Sequence, residues 1–108
     1  MAINNSQRAQ FAEELIATMT GAAVDIGTIL FNPVIIIFDN MSTTAVEISI
    51  DGGTTTWKTF PGGEALVLDL RAAHGFAPNY TFDVGTTFTA TGAANGDFSI
   101  SYIYALNT

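Results

Sequence analysis

The sequence predicts a mainly β protein, an antiparallel β-sandwich or barrel of short strands preceded by one N-terminal amphipathic α-helix. Three observations carry this. From Pro33 onward, apolar residues recur with a period of two, as in "AVEISI" (45–50) and "FSISYIY" (98–104). Turns rich in glycine and proline separate these runs at short intervals. Fifteen threonines suit a pleated, half-exposed surface better than a helical one.

The elements follow in order. "NNSQRAQFAEELIATMTG" (4–21) reads as a helix, with Asn4 or Ser6 as cap, Glu13 and Glu14 early, and Gly21 as a stop. Phe11, Leu15 and Met19 fall at i, i+4 and i+8, with Ala12 and Ile16 alongside, forming one apolar stripe that needs a partner. "GAAVDIGTILFNP" (21–33) reads as a connector holding a short strand at 28–31. "VIIIF" (34–38) is a β-branched run suited to a central strand covered on both faces. In "AVEISI", Val46, Ile48 and Ile50 share one face, and Leu66, Leu68 and Leu70 do so in "ALVLDL". "RAAHGFAPNY" (71–80) is irregular, interrupted by Gly75 and Pro78. "TTFTAT" (86–91) is a further strand, and the last, 98–104, aligns Phe98, Ile100, Tyr102 and Tyr104. The expected division is a helical arm at 1–21, a connector at 22–33 and a β-sandwich domain at 34–108.

Composition narrows the function classes. Hydrophobic residues make up 48% of the chain and the mean hydropathy is +0.35. Only 12% of residues are charged, against about 25% in ordinary globular chains. A surface so poor in charge is what subunit contacts look like. The net charge is −7, and Arg8, Lys58 and Arg71 cannot form the basic stripe that duplex recognition needs. Sequence-specific nucleic-acid binding is therefore not expected, and anionic lipid would repel the chain. Without cysteine there is no disulfide or thiolate chemistry. The first twenty residues lack the pattern of a signal peptide, so synthesis in the cytoplasm is expected.

No motif of catalysis emerges. Asp51-Gly52-Gly53 places Gly53 and Thr55 where an EF-hand needs oxygen ligands, and no Gly-Lys-Ser/Thr follows to make a phosphate loop. Glycine's tolerance of positive φ makes this stretch a hairpin corner. His74 could be combined with Asp69 and Ser42, Ser99 or Ser101, but no nucleophile elbow surrounds these serines. Asp39, Asp51, Asp83 and Asp97 read as solvated turn acids, with a surface calcium at Asp51 or at 95–97 as the alternative. Among the aromatic residues, Phe60, Phe82 and Phe88 read as core. Trp57 and Tyr80 could equally line a sugar-binding face. The expectation is no catalytic residue, no cofactor and no metal. Phe11, Leu15, Met19, His74, Phe76 and Tyr80 are the expected subunit-interface residues.

The stretches "VIIIFDN", "VEISIDGGTTTWKTFPGGEALVLDLR" and "GDFSISYIYA" together resemble small virion structural proteins of tailed bacteriophages, over roughly residues 34 to 105. The predicted helix lies outside that pattern. The resemblance implies a non-enzymatic, homo-oligomeric β-sandwich in a virion, in the head–tail connector or tail region, meeting portal, capsid or tail proteins. Capsid decoration is the alternative within that class, and a lectin-like carbohydrate-binding module the alternative outside it.

Overall fold

The computed structural model describes residues 10–69 and 82–105. The strands are β1 (Gln10–Thr18), β2 (Val24–Thr28), β3 (Pro33–Asn40), β4 (Val46–Ser49), β5 (Lys58–Phe60), β6 (Ala65–Asp69), β7 (Thr87–Gly92) and β8 (Asp97–Ala105). They form two four-stranded sheets, the first in the order β1-β8-β3-β6 and the second β2-β7-β4-β5. Every neighbouring pair is antiparallel. Interleaved Greek keys of this order make an eight-stranded jelly roll.

Alternation fixes what lies between the sheets. Ile36, Phe38, Phe98, Ile100 and Tyr102 of the first sheet are fully buried against Val46, Ile48, Phe60, Phe88 and Ala90 of the second. Phe38 is central: its ring lies 5.5 Å from Phe60 and 5.7 Å from Phe88 across the gap, and 5.4 Å from Trp57. Offset and edge-to-face aromatic pairs of this kind contribute about 0.5–1.5 kcal/mol each beyond the area they bury.

Four sequence expectations need correction. Residues 10–18 form strand β1 where a helix was expected; the rest of that helix, before Gln10, lies outside the described residues. The reason is arithmetic: Phe11, Leu15 and Met19 are four apart, so they lie on one side of a strand as well as of a helix. Pairing with β8 over nine successive positions, from Gln10 opposite Ala105 to Thr18 opposite Asp97, decides the outcome. Glu13, which argues against a buried strand face, is accommodated because Tyr102 donates its hydroxyl to the carboxylate at 2.6 Å. The division into arm and connector fails for the same residues, since β1 belongs to the first sheet and β2 to the second. The short strand expected at 28–31 is found at Val24–Thr28. Finally, β3 is central within its sheet, but among the described residues a second layer covers one face only, leaving Ile35 and Ile37 outward and partly exposed.

At one end of the sandwich, Asn40 ties the β3–β4 and β5–β6 connections together. Its fully buried amide donates to the carbonyls of Thr44, Phe60 and Pro61 at 2.9–3.0 Å. Its Oδ1 accepts from the Ser42 N–H at 3.0 Å and from the Ser42 hydroxyl at 2.6 Å. Gly62 fits against this knot only because it has no Cβ, which would lie 2.6 Å from the Thr43 backbone.

Asp51-Gly52-Gly53 does turn the β4–β5 hairpin, with φ of 81° at Gly52 and 92° at Gly53. The Asp51 carboxylate accepts from the Ser49 hydroxyl at 2.6 Å and from the N–H groups of Thr55 at 2.9 Å and Thr54 at 3.1 Å. These bonds, the Ser49 hydroxyl first, lower its pKa from 3.8 to about 2.

Two outcomes follow. Replacing Asn40 with Ala strands several buried backbone groups and should cost on the order of 3 kcal/mol, read from urea unfolding. A depressed folded pKa adds stability above the unfolded value of 3.8 and loses it as pH falls towards about 2. In thermal melts over that window, Asp51→Asn should lose less stability than the native chain; parallel profiles would show that the carboxylate holds nothing in the turn.

Candidate assembly surface

The outer faces of the two sheets differ in chemistry. In an antiparallel sheet, residues directly opposite share a face, so the outward rows of the first sheet can be read across its four strands. They are Ala12, Ile103, Ile35 and Asp69; then Glu14, Ser101, Ile37 and Val67; then Ile16, Ser99, Asp39 and Ala65. Five large aliphatic side chains therefore stand on this face: Ile16, Ile35, Ile37, Val67 and Ile103. Ile16 is 50% exposed and Val67 59%. Glu14, Asp39 and Asp69 lie among them, with no lysine or arginine in these rows.

The second sheet turns Asp25, Glu47, Thr59, Thr87, Thr89 and Thr91 outward, and no large aliphatic. Its polar groups satisfy one another. Thr28 and Thr87 share a hydroxyl hydrogen bond at 2.8 Å, and Thr89 donates to Asp25 at 3.2 Å. Thr89 is itself buried, and the outward groups of this face are polar. A face with five branched aliphatics is of the kind that another protein surface covers.

The expected interface residues separate into three groups. Leu15 and Met19 point into the protomer: Met19 is 1% exposed, and Leu15 packs over Gly27, where an added Cβ would lie 2.9 Å from its side chain. They are core residues, because the odd positions of β1 face the second sheet. Phe11 stands on β1 opposite Tyr104. His74, Phe76 and Tyr80 lie outside the described residues. What the sequence reading missed is the outer face itself. Its signal was present, since an unbroken "VIIIF" run must put aliphatic side chains on both sides of a strand.

The other candidate chemistry is dispersed. Ser42 is held by Asn40 and the Thr44 carbonyl, at the opposite end of β6 from Asp69. Ser99 is outward on β8, between Ile16 and Asp39. Among the described residues, no three histidine, cysteine, aspartate or glutamate side chains gather as metal ligands would. The buried Tyr102 phenol donates to Glu13 and accepts from the Leu30 N–H at 3.1 Å; desolvation and the bond to Glu13 raise its pKa. It remains a protonated structural donor. Phe60, Phe82 and Phe88 are core residues, as the sequence reading has them. Trp57 packs on them, its ring 5.5 Å from Phe82 and edge-on, which leaves it poorly placed as a free stacking platform. Tyr80 lies outside the described residues.

No protein-family model matches this chain. No curated protein matches it either. Among solved structures it is similar to a chain of Bacillus endospore appendages, which are described as a novel family of disulfide-linked pili. The identity is 16%, the match spans 99% of this chain and 97% of that one, and the TM-score is 0.48. Values this low support no inference about function, and this chain has no cysteine with which to form a disulfide.

Proposed function

We propose that this protein is a non-enzymatic structural subunit that assembles with copies of itself and buries the outer face of its first sheet. The observation that carries the reading is the inequality of the two outer faces, five large aliphatics on one and threonine with acids on the other. The low charge content supports it, since 12% is too little to solvate a small sandwich evenly. Jelly rolls serve viral capsids, lectins and cupins alike, so the fold alone does not choose among these roles.

The narrower reading is a virion protein of a tailed bacteriophage, forming a ring in the head–tail connector or tail region and touching portal, capsid or tail proteins. Its support is the sequence resemblance over roughly residues 34 to 105. Capsid decoration uses the same kind of face and is the second position within this class. A lectin-like role is less well supported, because Trp57 is engaged with the core.

Light scattering across a concentration series tests the general reading. The native chain should form multimers. Ile37→Thr combined with Val67→Thr keeps β-branching on the strands; it should weaken assembly at least tenfold while shifting the stability of the dilute protein by no more than about 0.5 kcal/mol. A native chain that stays monomeric at every concentration would sink the proposal. Mass spectrometry of purified virions tests the narrower reading, and absence of the chain from the particles would end it.

A further inference from the structure

The two sheets also differ at their edges. Natural sheets protect edge strands with bulges, prolines, lysines or shortness. The second sheet is protected at both edges. Its β2 is broken by a register shift between Asp25 and Gly27, and its β5 has three residues, carries Lys58 and ends at Pro61. The first sheet has none of these devices. Its β1 pairs with β8 over nine residues without a shift, and β6 pairs with β3 over five, with no proline or lysine in either strand. Glu13, an inward charge of the kind that can guard an edge, is taken up by Tyr102. Among the described residues, neither β1 nor β6 has a strand on its outer side.

Strand direction then selects the contact. The first sheet has four strands, all antiparallel to their neighbours, so β1 and β6 run in opposite directions. A second copy in the same orientation, placed beside β6, presents its own β1 antiparallel to it. The sheet continues with unbroken alternation. Pairing two β1 strands or two β6 strands in antiparallel fashion instead requires a twofold axis and stops at a dimer.

We infer that copies of this chain join head to tail, β6 of one against β1 of the next, into a continuous antiparallel sheet. This rests on the self-assembling reading above and adds to the burial of the outer face a second contact, along the sheet edge. The partner is a second copy because β6 and β1 of equally oriented copies run antiparallel. The joint continues the outer face argued above to be covered, with Val67 on one edge strand and Ile16 on the other both on that side of the sheet. The shared outer face limits the register. Three face-consistent registers pair all five β6 residues: Val67 opposite Ile16, Ala65 opposite Ile16, or Val67 opposite Ala12. A contact that repeats without a twofold axis generates a ring or a filament.

The chain has no cysteine, so engineered disulfides read the contact directly. Within one protomer, β1 and β6 are three strand spacings apart, roughly 14 Å, too far for an internal bridge. The variants are Ile16→Cys with Ala65→Cys, Ala12→Cys with Val67→Cys, and Ile16→Cys with Val67→Cys, together with the four single substitutions. After mild oxidation, one double variant should give a ladder of covalent multimers on non-reducing electrophoresis, and the single variants no dimer. Dimers from a single variant would replace this contact with twofold pairing. Light scattering on the same samples separates the two readings. Multimers without a ladder would overturn the edge contact alone, and monomers throughout would overturn self-assembly as well.

Discussion

The structure depends on a single strand serving two surfaces. Alternation along β3 sends Ile36 and Phe38 into the sandwich, where Phe38 meets rings from the second sheet and from the β4–β5 and β6–β7 connections. The same alternation sends Ile35 and Ile37 outward. A period of two places the two pairs on opposite faces of the strand, so the second sheet, packed on one face, covers only one pair. The core is complete on one side, and the other side carries its aliphatics to the surface.

The remaining features are consistent with that constraint. The second sheet spends its outer face on threonine hydroxyls and acids that bond one another. Satisfied polar turns fix the loops: Asn40 and Ser42 at one end, Ser49 and Asp51 at the other. These groups have structural partners within the turns they hold. Large aliphatics stand on the outer face of the first sheet, Ile16 and Val67 the most exposed of them, and further exposed apolar side chains lie in the connections, at Leu30, Phe31, Met41, Ile50 and Val84.

Much of this was legible in the sequence. The continuous run at 34–38 located β3, the alternating runs located β4, β6 and β8, and the side shared by Phe98, Ile100 and Tyr102 is the buried one. The corner at Asp51 followed from glycine chemistry. The N-terminal strand did not, because a spacing of four residues satisfies helix and strand alike and Glu13 masked the strand pattern. Only long-range pairing with β8, and a tyrosine eighty-nine residues away to receive that carboxylate, resolve the ambiguity. Leu15 and Met19 were read as interface for the same reason; once β1 is a strand they become core. The surface candidate emerges only when Ile35, Ile37, Val67 and Ile103 are brought side by side by register, which no local pattern encodes.

Methyl NMR with a soluble paramagnetic probe addresses the central claim most directly, by comparing dilute and concentrated protein. The account requires the Ile16, Ile35, Ile37 and Ile103 methyls to be broadened by the probe when dilute and shielded on assembly, while Thr87 and Thr91 remain accessible in both states. Isoleucine methyls that stay equally open to the probe at high concentration would contradict it.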